Sequence, residues 1–131
     1  MLKKIASVSL LAIFSTSALA ESCMNIGGVA LAHFFDEGEG KPLIISGGVT
    51  GSFSNAAGKI TAQRETETGL EMDIEHYFGR TDGGSVFTKD LGILTAVPGK
   101  PGRFMIEITY DIQKEKSRGT LKGYDGGFKS Y

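Results

Sequence analysis

Few groups in this 131-residue chain could do chemistry: two histidines, one cysteine and fifteen carboxylates. His76 is the most informative. It lies in GLEMDIEHYFGRTDGGSVFTKDLGIL, residues 69–94, where Leu70, Met72, Ile74, His76 and Phe78 alternate with Glu71, Asp73, Glu75 and Tyr77. Successive residues of a strand face opposite sides, so this pattern puts an imidazole on an otherwise apolar face. Such a group serves either as one of the few polar contacts of a small-molecule site or as core filling. If it were only filling, leucine in its place would leave stability unchanged or raise it.

Asp82-Gly83 is a strong signal for a tight hairpin turn. A two-residue turn centred on it predicts a register in which partner numbers sum to 165. Phe78 then faces Phe87, Ile74 faces Leu91, Met72 faces Ile93, and His76 faces Lys89. A one-residue slip sets apolar residues against polar ones. The run RFMIEITYDIQ alternates in the same way, with Phe104, Ile106, Ile108, Tyr110 and Ile112 on one side. The expected ligand-binding residues are therefore His76, Lys89 and Tyr110.

Other constellations support less. His33, in VALAHFF, shares a face with Val29, Leu31 and Phe35, and approaches His76 if their strands meet across an interior. Two histidines do not hold a metal, and Asp73 and Glu75 face away from His76, so no metal site is expected. Glu71, Asp73 and Glu75 form a solvated ladder without the wrapping loop that calcium needs. Lys114, Lys116 and Arg118 are mixed with Glu115 in one turn. The serines sit in no nucleophile elbow, no pair of carboxylates is placed for acid–base work, and no glycine cluster has dinucleotide or phosphate-loop spacing. No catalytic residue and no cofactor are expected.

The chain opens MLKKIASVSLLAIFSTSALA, two lysines, a short apolar run and small residues up to Ala20. This order predicts a secretory leader cleaved after Ala20 and a periplasmic or secreted protein; the apolar run is too short to span a bilayer. The leader removes Lys3 and Lys4, leaving 111 residues, one domain, with twelve basic against fifteen acidic side chains. A weakly acidic surface without a basic stripe excludes nucleic acid and anionic membranes as partners. Export usually pairs cysteines, yet Cys23 is the single one, and Ala20-Glu21-Ser22 before it is no lipobox.

After Glu21 come short β-type runs separated by turn residues, with no convincing helical period. The expected strands are 29–35, 43–53, 59–67, 70–78, 85–94, 104–113 and 120–124, with a stub at 128–131. Successive hairpins with one apolar face must bury it together. The fold class is all-β, a small antiparallel up-and-down β-barrel over residues 21–131.

The segments GLEMDIEHYFGRTDGG, VPGKPG and GYDGGF resemble a family of small secreted bacterial proteins whose fold is similar to the barrel of plant allene oxide cyclases. The resemblance covers nearly all of residues 21–131. It implies an allene oxide cyclase-like barrel and carries no cyclase substrate residue onto this chain. Family members continue beyond the segment matching residues 127–131 into a further strand or hairpin. By that resemblance this is a C-terminally shortened copy, whose open sheet edge allows oligomers and whose absent segment could hold a partner for Cys23.

The function expected from these readings is binding of a small apolar ligand in the barrel lumen. A non-catalytic structural or interaction barrel, its interior filled by Leu70, Met72, Ile74, Phe78 and their partners, is the rival. Cyclase chemistry follows from analogy of fold alone.

Overall fold

The computed structural model describes residues 23–131; the leader expected over residues 1–20 lies outside them. Seven strands follow one another: β1 (Ala30–Phe35), β2 (Leu43–Val49), β3 (Asn55–Thr66), β4 (Gly69–Gly79), β5 (Ser85–Ala96), β6 (Phe104–Ile112) and β7 (Gly126–Ser130). Each pairs antiparallel with its sequence neighbours in a single sheet of order β1-β2-β3-β4-β5-β6-β7. The described residues contain no α-helix, only two single-turn 3-10 segments, Lys114–Lys116 and Gly119–Leu121. The all-β expectation is met.

The alternation seen in the sequence produces the packing. Met72, Ile74, His76 and Phe78 of β4 are buried on the concave face, with Ile108 and Tyr110 of β6. Ile74 keeps only 2 % of its surface exposed, and burying a side chain of that size contributes roughly 1.5–3 kcal/mol. Glu71 and Asp73 point outward, both gripped by the Arg64 guanidinium of β3 at 3.0 and 2.8 Å. Thr61 is the extra residue of a bulge between Ile60 and Ala62, which bends β3 and sharpens the twist of the sheet.

The register of β4 with β5 differs from the expected one by one residue. Gly79 faces Ser85, Phe78 faces Val86, His76 faces Thr88 and Ile74 faces Asp90. The turn explains the shift. Arg80 and Gly84 close a three-residue loop, Thr81-Asp82-Gly83, through hydrogen bonds from Arg80 N to Gly84 O at 2.8 Å and from Gly83 N to Arg80 O at 3.2 Å. Gly83 takes φ +89°, the left-handed residue that ends such a loop. Asp82 Oδ1 accepts from Gly84 N at 3.0 Å and from the Thr120 hydroxyl at 2.9 Å, tying the loop to the segment before β7.

The slip turns β5 over. Leu91 and Ile93 face outward, 40 % and 41 % exposed, while Val86, Thr88 and Asp90 are buried. Outward-facing Phe87 is nevertheless only 2 % exposed, because Tyr77 packs on its ring at 4.8 Å and Lys116 lies 4.2 Å above it.

The last strand also differs. Residues 120–124, expected to be extended, lie in and after the second 3-10 turn, and the expected stub is β7. Gly119, at φ +61°, starts that turn, where a Cβ would stand 2.2 Å from the Gly83 carbonyl oxygen. The turn drives Leu121, 2 % exposed, into the core.

β1 is paired with β2 alone and β7 with β6 alone, so the described sheet has two edges. Both edges curl round one space: Ala30 and Phe34 of β1 and Ser130 of β7 line the same cavity.

Candidate functional site

That cavity, about 510 Å³, is bordered by residues of all seven strands and is walled mainly by apolar groups such as Ile45, Met72, Leu94, Ile106 and Ile108. His76 and Tyr110 are among its few polar members. Phe53, Phe78, Tyr110 and Phe128 pack ring against ring beside it, Tyr110 stacking on Phe128 at 4.5 Å and Phe78 meeting Phe53 at 5.2 Å. His76 stands at the boundary, stacked on Phe78 and edge-on to Tyr110, both at 5.4 Å.

His76 is not alone on this face. Its Nδ1 donates to Asp90 Oδ2 across 2.6 Å, with 6 % and 0 % of the two side chains exposed. The pairing follows from the register: Asp90 sits two residues beyond Thr88, the direct partner of His76, and such diagonal neighbours share a face. The ring also needs Gly58, its partner on β3, because a Cβ there would approach His76 Cδ2 to 2.7 Å. The carboxylate-bound Nδ1 orients the ring, and Nε2 makes no hydrogen bond among the described residues.

Tyr110 faces Asp90 across β5 and β6. Its hydroxyl shares a hydrogen bond of 3.1 Å with Ser130 Oγ. Burial holds the phenol above a tyrosine's ordinary value; the Ser130 hydrogen bond opposes this and the nearby Asp90 charge adds to it. The phenol is thereby kept protonated, a hydrogen-bond donor at the cavity wall.

Of the three expected contacts, the fold brings His76 and Tyr110 together and removes Lys89. In the observed register Lys89 faces Glu75 on the convex side and is exposed, because the three-residue loop reverses the faces of β5. His33 does not line the cavity: Phe34 and its partner Ile45, and Ala32 and its partner Gly47, do, while His33 pairs with Ser46. Asp90, Thr88 and Ser130 join the site only through the fold. The signal for Asp90 in the sequence is an opposite-charge partner for His76 in the slipped register, masked by the apolar pairs that the two-residue turn offers.

Among the described residues two buried side-chain oxygens, Thr88 Oγ1 and Asp90 Oδ1, have no hydrogen-bond partner. Thr88 is completely buried, so Thr88→Val removes a desolvated hydroxyl at similar volume and is expected to raise stability by about 1 kcal/mol. Urea unfolding measures this. A lower midpoint would show that the hydroxyl is bonded in the folded state.

Among the described residues no three histidine, cysteine or acidic side chains come together to hold a metal, and no helix is long and apolar enough to cross a membrane. A wider depression of about 800 Å³, edged by Asp36, Lys41, Lys59 and Gln63, lies away from the His76–Asp90 pair. Comparison of the chain with protein-family models, curated proteins and solved structures returns no match.

Proposed function

We propose that this protein binds a small, largely apolar ligand on the concave face of its sheet, with His76 and Tyr110 as the polar contacts. The observation that carries the reading is the cavity of about 510 Å³, apolar over most of its wall, with His76, Tyr110, Ser130 and Tyr131 as its polar side chains. Its size and chemistry are those of small-molecule sites. In the same reading the curled meander is the wall of an up-and-down barrel akin to that of the allene oxide cyclases, and the protein works in the periplasm or outside the cell. Support for the barrel comes from the uninterrupted strand order and from the two sheet edges bordering one cavity.

The neutral fluorophore N-phenyl-1-naphthylamine tests the reading. It is expected to bind one per chain with a blue-shifted emission, and Ile106→Trp, which fills the cavity, is expected to weaken binding at least about tenfold. Equal binding to both forms, or none to either, overturns it.

The rival reading, a structural barrel with a packed interior, is favoured by the aromatic cluster of Phe53, Phe78, Tyr110 and Phe128. It requires that no probe enters and that native mass spectrometry shows the protein alone.

A further inference from the structure

We propose that His76 is a general base and that the cavity is the site of a proton-transfer reaction on a small apolar carbon acid, a molecule whose acidic C–H adjoins a carbonyl or an equivalent electron sink. The inference rests on the ligand-binding reading and deepens it.

Three observations converge. Asp90 holds Nδ1 at 2.6 Å, which directs the ring's remaining lone pair to Nε2; His76 is a lining residue of the cavity, and Nε2 has no partner among the described residues. A carboxylate behind an imidazole fixes its tautomer and stabilises the imidazolium formed when the other nitrogen takes a proton. Among the described residues the Asp90 side chain hydrogen-bonds His76 alone. Its second oxygen is buried without a partner among those residues, so the fold tolerates a desolvated carboxyl that hydrophobic packing would avoid. A buried oxygen left unpartnered in a native fold calls for a reason, and a role in chemistry is one.

The third observation is the neighbour. The Tyr110 phenol, protonated and 5.4 Å from the imidazole between ring centroids, is a donor for an oxygen on which negative charge develops. Ser130 hydrogen-bonds Tyr110 rather than His76, so the arrangement lacks the nucleophile–base contact of acyl transfer and suits proton transfer.

The step balances without an oxidant or reductant. Nε2 takes the proton from the carbon next to the carbonyl, the C–H electron pair becomes a C=C bond, and the carbonyl π pair moves onto the oxygen facing Tyr110. Return of the proton from the imidazolium to a conjugated carbon gives an isomer and restores the base. Asp90 acts through His76 and is a positioning residue.

The probe is 5-nitrobenzisoxazole, a small apolar carbon acid. Removal of its ring C–H forms the nitrile as the N–O bond breaks, opening the ring to a single coloured cyanophenolate. The protein is expected to outpace free imidazole at equal concentration. His76→Gln should lower its rate about a hundredfold, the scale of general-base catalysis, and Asp90→Asn at least about tenfold. Lys89→Gln, on the convex face, should leave it unchanged.

The ¹⁵N spectrum of the unaltered protein supplies a readout that needs no variant. Nδ1 should carry the proton and Nε2 be bare, and Asp90→Asn should mix the tautomers. A rate no better than imidazole's, a rate indifferent to His76→Gln, or a proton on Nε2 with Nδ1 bare overturns the inference. If N-phenyl-1-naphthylamine binds as expected and these results still fail, proton transfer falls and ligand binding stands. If the fluorophore does not bind, both fall.

Discussion

His76→Leu should lower the stability of the fold by roughly 3 kcal/mol or more, the scale for breaking a buried pair from one side. The cause is Asp90. Its side chain is fully buried and, among the described residues, hydrogen-bonds only His76 Nδ1, so leucine leaves a carboxyl with neither oxygen partnered. This reverses what His76 alone suggests in the sequence, where leucine relieves a polar group among apolar neighbours. The double variant His76→Leu with Asp90→Val removes both partners and should recover most of the loss, because an apolar pair of similar volume often replaces a buried ionic one at no cost. Urea unfolding of the four corners of this cycle, at unchanged m-value, isolates the coupling. A single variant as stable as the parent would mean that the pair is not formed.

Gly58→Ala should cost up to about 3 kcal/mol, the upper range for overpacking. A Cβ at Gly58 would stand 2.5 Å from the Glu75 carbonyl oxygen and 2.7 and 3.0 Å from His76 Cδ2 and Cγ. The carbonyl belongs to the β3–β4 ladder and cannot retreat without straining it, so the imidazole must move as well, with loss of its bond to Asp90. Gly92→Ala is the contrast. Its Cβ would meet Ile74 Cδ1 at 2.9 Å and Met72 Cε at 3.2 Å, the far ends of flexible side chains, and the cost should be smaller. Thermal unfolding ranks the two, and a Gly58→Ala protein as stable as Gly92→Ala would contradict the close seating of the ring.

Much of the site is legible in the sequence because alternation is a local property. Spacing alone places Met72, Ile74, His76 and Phe78 on the buried face of β4, and Ile108 and Tyr110 on that of β6, and the fold buries all of them together. Lys89 in place of Asp90 comes from a single feature, the loop length between β4 and β5. Local composition allows both registers. Asp-Gly suits a two-residue turn, and the two-residue register lines up Phe87, Leu91 and Ile93 with the apolar residues of β4. The fold takes the three-residue loop, in which Gly83 supplies the left-handed residue and Asp82 binds Gly84 N and Thr120.

What the sequence by itself determined is the order of the strands, the residues of β4 and β6 that turn inward, and the presence of an imidazole among them, since each follows from period-two alternation and turn residues within a few positions. Tertiary structure alone decided which residue answers that imidazole. The β4–β5 register is settled by contacts between residues far apart in the chain: the clamp of Asp82 on Thr120, the cover of Tyr77 and Lys116 over the outward Phe87, and the space above Gly92 that Ile74 and Met72 fill. One step of register exchanges the two faces of a strand, and with it a lysine in solvent for an aspartate in the core.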